Sequence, residues 1–301
     1  STIIQEGIPL DVVLVIDQSG SLYKNGGKED GVPLKMLKES VTEFVETLKA
    51  NGEAYGVNHR ISMCGFASGE LSGATGATAG GYSYASDMRY NSWINTGLFV
   101  DGEFREYAKM NYIRINDPSE LDVNRYYTVK FDPYADGNYE YVRSWYYSGH
   151  TTYRYWNGQG NLIVVNGEKE DDTKELLLKS YEVYKLSKST VQLKDDDYAA
   201  SWENLASGEN GQGSINPNIL KSIDKLAANG ATYTFYGLQM ASRMLENAPD
   251  DGIQRKKVVI VFTDGEPGYG GFVKGDADAA LSAVKAIKES GTEVFAVGVY
   301  S

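Results

Sequence analysis

Residues 10–21 read LDVVLVIDQSGS. The first seven of these residues form a nearly continuous apolar run, which is typical of a parallel strand that is covered on both faces. The polar stretch that follows supplies Asp17, Ser19 and Ser21 directly after the predicted strand. This combination predicts an α/β fold in which a buried strand ends at a group of oxygen-bearing side chains.

Alternating strands and helices are predicted in residues 1–67 and again in residues 214–301. Pro33 begins one amphipathic helix, which Gly52 follows, and Asn216 caps another, which we expect to end at Gly230. Further strands are predicted at residues 61–66, 257–263 and 293–299, and further helices at residues 236–246 and 277–290. Because such alternation implies crossover connections, we predict one discontinuous domain with a doubly wound, mostly parallel sheet.

Residues 68–213 interrupt this pattern and hold most of the 23 tyrosines and all four tryptophans. Turn-forming dipeptides separate short aromatic segments that are typical of strands. The predicted strands are residues 126–131, 139–147, 151–156 and 161–165, and a helix is predicted at residues 172–187. We therefore predict a large β-rich insertion. Its aromatic side chains form either the core of this subdomain or an exposed recognition surface, and the sequence leaves both alternatives open.

A second acidic residue, Asp264, directly follows the predicted strand 257–263. In an open parallel sheet, ligands bind beyond the carboxyl ends of the strands, where the strand order reverses. Asp264 and the Asp17 loop are therefore expected to face one crevice. Carboxylate and hydroxyl oxygens suit a hard cation such as Mg²⁺, which prefers octahedral geometry and keeps several waters. An open coordination position would accept a carboxylate oxygen from a partner protein.

Three motifs, DQSGS (17–21), GATYTFYGL (230–238) and TDG (263–265), occur in this order. Together they resemble the metal-ion-dependent adhesion site of von Willebrand factor A domains and integrin inserted domains. The resemblance covers both flanks of the insertion and implies a bound Mg²⁺ or Mn²⁺. The implied metal ligands are Asp17, Ser19, Ser21, Thr232 and Asp264. The two serines would coordinate directly, the two aspartates largely through water, and Thr232 directly when a ligand is bound and through water otherwise.

The sequence offers few other reactive groups. Cys64 is the single cysteine, so an internal disulfide is excluded. A nucleophilic pair with His59 or His150 is conceivable, but the mid-strand position of Cys64 predicts a buried structural residue. Residues 195–197 are three consecutive aspartates, which form either a Ca²⁺ site or a solvated loop. We identify no catalytic residues and expect that the chain is not an enzyme, the alternative being an active site within the insertion.

Composition limits the partners. The chain of 301 residues has a net charge of −12 and no basic block, which argues against nucleic acid and anionic membranes as partners. No apolar run approaches the roughly 20 residues of a membrane span, so we expect no membrane contact by this fragment. Because the chain starts without Met and ends just after a predicted strand, we expect it to be a piece of a longer protein.

The expected function is metal-dependent adhesion to a host or matrix protein that presents an acidic side chain. The insertion resembles the arms that decorate A-type domains in tip adhesins of Gram-positive pili. That resemblance implies an extracellular location on a Gram-positive cell wall or pilus, with other pilus or surface subunits as further partners. The alternative is a von Willebrand factor A-type scaffold that organises a protein complex without an adhesive role. A signal peptide and a cell-wall anchor in the full-length gene would favour adhesion.

Overall fold

The chain divides into two compact units. Unit 1 comprises Ser1–Gly69, Trp93–Ala108 and Val191–Ser301, and unit 2 comprises Glu70–Ser92 and Lys109–Thr190. The computed structural model describes residues 7–23, 31–68, 78–79, 82–83, 95–115, 121–128, 145–147, 150–156, 161–168, 175–191, 193–265 and 274–299.

The described residues contain fifteen strands and five α-helices. In chain order these elements are β1 (Leu10–Asp17), α1 (Val32–Tyr55), β2 (Arg60–Phe66), β3 (Thr78–Ala79), β4 (Tyr82–Ser83), β5 (Gly97–Val100), β6 (Glu103–Glu106), β7 (Ala108–Ile115), β8 (Tyr126–Thr128), β9 (Trp145–Tyr147), β10 (His150–Trp156), β11 (Asn161–Glu168), β12 (Glu175–Val191), α2 (Asp195–Ala200), β13 (Glu203–Asn204), α3 (Pro217–Asp224), α4 (Thr234–Glu246), β14 (Lys256–Thr263), α5 (Lys274–Glu289) and β15 (Glu293–Gly298).

Unit 1 is built on a sheet with the strand order β15-β14-β1-β2-β5-β6. The first four strands are parallel to one another, whereas β5 and β6 continue the sheet in antiparallel pairings. The short strand β13 pairs antiparallel with β2. The predicted α/β fold with a mostly parallel sheet is therefore present, with an antiparallel extension at one edge.

The central strand β1 is buried along its whole length, and its side chains alternate between two apolar cores. Val12 and Leu14 belong to the core that contains apolar residues of α1 and α3. Val13 and Val15 belong to the core that contains apolar residues of α4 and α5. Because successive side chains of a strand point to opposite faces, helices cover both faces of the sheet, as the continuous apolar run predicts.

Unit 2 contains an antiparallel sheet with the strand order β7-β12-β11-β10-β9, together with β8, which pairs with β12. Within it, β10 and β11 pair over seven residue pairs, from His150–Glu168 to Trp156–Leu162. The segments predicted as strands at residues 151–156 and 161–165 therefore lie in this sheet. Of the other two, residues 126–128 and 145–147 are strands, and the remainder lies outside the described residues.

The helix predicted at residues 172–187 is wrong, because residues 175–191 form the strand β12. Glu, Leu and Lys, which are frequent in this segment, have high helix propensity. Leu178 and Val183 are nevertheless buried, and β12 pairs antiparallel with β11, with one register shift between Asn166 and Gly167. Pairing with a neighbouring strand and burial of one face outweigh the intrinsic propensity here.

Two helix ends also differ from the prediction. Helix α1 continues through Gly52 to Tyr55, and Gly56 ends it with a left-handed φ of 67°. Gly52 instead permits close packing, because a Cβ atom at that position would lie 2.5 Å from the carbonyl oxygen of Val57. Helix α3 ends at Asp224 rather than near Gly230, so the residues between α3 and α4 form a loop.

The insertion predicted at residues 68–213 does not coincide with unit 2. Strands β5 and β6 extend the central sheet of unit 1, and Tyr198, Trp202 and Leu205 are buried in its cores. These two aromatic residues therefore serve as core, which was one of the two predicted roles. Among the residues that the structure describes, no helix is both long enough and apolar enough to span a membrane.

Candidate metal-binding site

Three loops at one edge of the central sheet carry the five predicted metal ligands. Asp17 is the last residue of β1, and Ser19 precedes a short 3₁₀ helix at Gly20–Leu22 that contains Ser21. Asp264 directly follows β14. Because β1 and β14 are adjacent parallel strands, their carboxyl ends lie at the same edge of the sheet, where open α/β sheets bind ligands.

Four of the five predicted residues lie in one hydrogen-bonded group. The Oγ of Ser21 donates to Oδ1 of Asp264 at 3.0 Å. Since the single hydroxyl proton of Ser21 is used in that bond, Ser19 is the donor in the 3.0 Å contact between the two Oγ atoms. The backbone N of Ser19 donates to Oδ1 of Asp17 at 2.8 Å. The carboxylates and hydroxyls are therefore brought together as the sequence predicts.

Thr232, the fifth residue, lies in the loop between α3 and α4, and backbone hydrogen bonds hold that loop next to the DQSGS segment. The N of Gly20 donates to the carbonyl oxygen of Gly230 at 2.9 Å. Gly230 has a φ of 91°, a left-handed conformation that glycine adopts without strain. On the other side of Thr232, the N of Tyr233 donates to the carbonyl oxygen of Ala67 at 2.9 Å.

Asp17 is fully buried, and this burial raises its pKa from the ordinary 3.8 to about 6. Hydrogen bonds from Ser19 and Thr263 lower the pKa, whereas the nearby charge of Asp264 raises it. The bond from Thr263 joins its Oγ1 to Oδ2 of Asp17 at 2.7 Å. Thr263 orients the carboxylate, and although it is part of the TDG motif, it was not predicted as a site residue.

One acceptor in this group has no partner. Oδ2 of Asp264 is buried and accepts no hydrogen bond from any residue that the structure describes. A buried carboxylate oxygen without a partner is costly, and the adjacent carboxylate of Asp17 adds electrostatic repulsion. A divalent cation would neutralise both carboxylates and supply the missing partner, so these residues fit the metal that the sequence motif implies.

The donor set also limits the kind of metal. In the described part of the chain, no group of three or more His, Cys, Asp or Glu side chains is arranged so that it could hold a metal ion. The candidate site has instead two carboxylates and three hydroxyls, an all-oxygen set without thiolate or imidazole. Hard cations such as Mg²⁺ and Mn²⁺ match this set, whereas thiolate-preferring metals do not.

The other sequence candidates have structural roles. Cys64 is buried in β2, its Sγ donates to the carbonyl oxygen of Gly237 at 3.7 Å, and burial raises the pKa of the thiol. His59 is engaged through both ring nitrogens. Its Nδ1 accepts from the N of Leu10 at 3.0 Å, so its Nε2 donates to Oδ1 of Asn51 at 2.9 Å. Burial lowers the pKa of His59 to about 4, which keeps the ring neutral.

The three aspartates at residues 195–197 begin helix α2. Oδ2 of Asp197 accepts from the N of Lys194 at 2.9 Å, and Oδ1 of the same residue pairs with Arg105. Asp195 pairs with Arg243 at 3.4 Å. Helix capping and ion pairs thus account for two of the three acidic groups. His150, the remaining candidate, begins β10, and its side chain lies outside the described residues.

Comparison with known proteins gives a family match for part of the chain. Residues 171–301 match the model of the von Willebrand factor type A domain, a range that includes Thr232 and Asp264 but not Asp17, Ser19 or Ser21. No curated protein sequence matches the chain.

Two of the solved structures that resemble the chain are pilus proteins. Pilus adhesin SpaC from Lactobacillus rhamnosus GG is 16% identical, with a TM-score of 0.39, and the match covers 98% of this chain and 25% of that one. Adhesive tip pilin GBS104 from Group B Streptococcus agalactiae is also 16% identical, with a TM-score of 0.32, and the match covers 86% of this chain and 46% of that one. The chain therefore spans less than half the length of either protein.

The family match and the strand order agree on the fold. The match covers the part of the chain that contains α3, α4, β14, α5 and β15. The strand order places β14 and β15 in one mostly parallel sheet with β1 and β2. The fold class predicted from the sequence, an α/β fold with a mostly parallel sheet, is thereby confirmed, and the match at residues 171–301 is consistent with the von Willebrand factor A type.

Proposed function

We propose that this chain is an adhesive domain that holds a protein ligand through one divalent cation, Mg²⁺ or Mn²⁺. The proposed metal-binding residues are Asp17, Ser19, Ser21, Thr232 and Asp264. The observation that carries the proposal is the buried, unpartnered Oδ2 of Asp264 within a hydrogen-bonded group that also contains the buried carboxylate of Asp17. Such a group is unfavourable without a cation and suits a hard cation well.

The side chains of this site have separate tasks. Asp17 and Asp264 supply negative charge at the edge of the sheet, and Asp17 is oriented by its bonds to Ser19 and Thr263. The hydroxyls of Ser19 and Ser21 supply neutral oxygens on the same side. When bound, the cation would offer an open coordination position to an acidic side chain of the ligand. Because the other three ligands are neutral hydroxyls, the cation would still be able to coordinate a third carboxylate at that open position.

The overall charge of the chain supports a role for the cation in attracting the ligand. With a net charge of −12, the protein as a whole repels an acidic partner. Attraction to a carboxylate must therefore be local, and the proposed cation supplies it. One metal contact is a small footprint, and a stable complex buries roughly 1,200–2,000 Å². Tyr23, which is 52% exposed and lies two residues after Ser21, is a candidate for a neighbouring contact.

The proposal places the chain outside the cell, on a Gram-positive cell wall or pilus, with other surface subunits as further partners. The aromatic-rich segment inserted into a domain of A-type pattern supports this location, and the lack of paired cysteines is compatible with it. We propose further that the chain is not an enzyme. In support, the cysteine and one of the two histidines are held in structural hydrogen bonds.

A solid-phase binding assay against a panel of matrix proteins (collagens, fibronectin, fibrinogen and laminin) tests the adhesive function. We expect binding to at least one of them in Mg²⁺ that is lost with EDTA and restored by added Mn²⁺. Thr232→Ala should weaken that binding at least tenfold, because it removes a coordinating oxygen. Thr234→Ala, a matched change at the start of α4 and outside the proposed ligand set, should leave it unchanged. Binding that is insensitive to both EDTA and Thr232→Ala would overturn the proposal.

A further inference from the structure

A second group of polar side chains, three of them buried and one half-buried, supports the loop that carries Thr232. This group consists of Gln18, Ser68, Asn95 and Thr96, and we call it the support network. Gln18, Ser68 and Thr96 are 1%, 4% and 0% exposed, respectively. None of the four belongs to the proposed metal ligands. Buried polar groups are costly unless they are hydrogen-bonded, so the partners of this network show what it holds in place.

Gln18 binds the first part of the loop between α3 and α4. Its Oε1 accepts from the N of Ala227 at 2.9 Å, and its carbonyl oxygen accepts from the N of Asn229 at 2.8 Å. Its Nε2 donates to the carbonyl oxygen of Asn95 at 3.2 Å. In return, Nδ2 of Asn95 donates to the carbonyl oxygen of Gln18 at 2.9 Å. Gln18 and Asn95 therefore form a reciprocal pair against which the loop is fixed.

Ser68 and Thr96 bind the second part of the loop, next to Thr232. The N of Ala231 donates to Oγ of Ser68 at 3.0 Å. Oγ1 of Thr96 donates to the carbonyl oxygen of Ser68 and accepts from the N of Ala67 at 2.8 Å. Ala67 in turn accepts from Tyr233, so both neighbours of Thr232 in the sequence are held by the backbone and side chains of residues 67 and 68.

The position of the network in the sequence gives it a second role. The chain leaves unit 1 after Gly69 and returns to it at Trp93. Ser68 is thus the penultimate residue before the chain departs, and Asn95 and Thr96 are the third and fourth residues after it returns. Asn95 adopts a left-handed φ of 38°, a conformation that asparagine tolerates better than most residues. The same hydrogen bonds therefore fix both chain ends of this excursion and the Thr232 loop.

We infer that Gln18, Ser68, Asn95 and Thr96 are positioning residues for Thr232, and that they link the affinity for the metal to two of the four places where the chain passes between unit 1 and unit 2. The inference rests on the proposed metal site and extends it. Linkage is reciprocal. A metal held by Thr232 stabilises the chain ends at residues 67–68 and 95–96, and a change that loosens these chain ends weakens metal binding.

A double-mutant cycle on Mn²⁺ affinity, measured by calorimetry on the full chain, tests the positioning role. Loss of one buried hydrogen bond in Ser68→Ala should weaken Mn²⁺ binding about fivefold. In a Thr232→Ala background the same change should have no further effect, because the residue it positions is gone. Ser207→Ala is the control, since Oγ of Ser207 also accepts from a backbone N–H, that of Ser214 seven residues along the chain, at 3.1 Å and at an exposed position. It should leave Mn²⁺ affinity unchanged.

Thr96 provides a second pair of variants in case Ser68→Ala fails to fold. Thr96→Val keeps the shape and removes the hydroxyl, and it should weaken Mn²⁺ binding, whereas Thr96→Ser should restore it. Equal weakening by Ser68→Ala in both backgrounds, or unchanged affinity in both Ser68→Ala and Thr96→Val, would overturn the inference.

Hydrogen exchange separates failure of this inference from failure of the proposed metal site. Without metal, the amides of Ala231 and Tyr233 should exchange faster in Ser68→Ala than in the wild type, and unchanged exchange would overturn the positioning role even if the wild type binds no Mn²⁺. With Mn²⁺, the amide of Ala67 should exchange more slowly in the wild type. Unchanged exchange there, in a wild type that binds Mn²⁺, would overturn the linkage.

Discussion

Asp17→Asn is expected to stabilise the metal-free protein and at the same time to abolish its response to metal. The carboxylate of Asp17 is fully buried, which raises its pKa to about 6 from an ordinary 3.8. In the metal-free protein at pH 7.5 the charged form therefore costs about 3 kcal/mol, from the two pKa values at 1.36 kcal/mol per unit. Asparagine removes the charge and keeps an oxygen that accepts from the N of Ser19.

The dependence on pH follows from the sign of the shift. A carboxyl group whose folded-state pKa is raised favours the protonated fold, so stability from this group is greatest below about pH 4. That stability is lost as the pH rises through about 6 and is constant above it. A metal requires the charged carboxylate. Mn²⁺ should therefore raise the melting temperature strongly at pH 7.5 and little at pH 4.5.

Differential scanning calorimetry with and without Mn²⁺ measures both effects. A gain of about 3 kcal/mol corresponds to roughly 6–12 °C for a domain of this size, and this is the upper bound for metal-free Asp17→Asn at pH 7.5. Asp224→Asn, at the exposed end of α3, is the matched control and should behave as the wild type in both respects. The reasoning is refuted if metal-free Asp17→Asn melts below the wild type at pH 7.5, or if Mn²⁺ stabilises the wild type equally at both pH values.

Three further predictions concern other contacts. Gly20→Ala should weaken Mn²⁺ binding several-fold with little change in the metal-free melting temperature, because the new Cβ would lie 3.3 Å from the carbonyl oxygen of Gly230 and crowd the Thr232 loop. Calorimetric titration measures the affinity, and an unchanged affinity would contradict the prediction. Asp11→Ala should lower the free energy of unfolding by about 3–5 kcal/mol, since it leaves buried Arg60 without its two 2.8 Å bonds to the carboxylate. Urea denaturation measures this free energy, and a loss below about 1 kcal/mol would count against the prediction. Cys64 should react with a thiol reagent only on unfolding, because it is fully buried; rapid labelling of the native protein would show otherwise.

The parts of the fold that local patterns determine were predictable from the sequence. The apolar run of β1 signals a strand covered on both faces, and the positions of Asp17 and Asp264 follow from the rule for carboxyl ends of parallel strands. The cap of α3 was also predictable, since Asn216 precedes Pro217 and its side chain accepts from the N of Asn218. In each case residues close in sequence carry the physical signal.

The parts that long-range contacts determine were not predictable. Strand β5 is only four residues long, and its place in the central sheet depends on pairing with β2, which no local pattern reveals. Gln18 is not one of the metal ligands that the DQSGS motif implies, yet its side chain forms hydrogen bonds with residues 77 and 209 positions away in the sequence. By taking the N–H groups of residues 227 and 229, Gln18 also explains why α3 ends before Gly230. Tertiary hydrogen bonds here prevail over the helical spacing of the apolar residues.

Calorimetric titration of the folded wild type and of folded Asp264→Asn with Mn²⁺ tests the central claim most directly. The buried Oδ2 of Asp264 accepts no hydrogen bond from the described residues, and we attribute this to a cation that the carboxylate is built to hold. The account predicts one Mn²⁺ per wild-type chain and at least a hundredfold weaker binding in Asp264→Asn, with Asp224→Asn unaffected. A folded wild type that binds no Mn²⁺ and no Mg²⁺, or an Asp264→Asn variant that binds Mn²⁺ as tightly as the wild type, would contradict it.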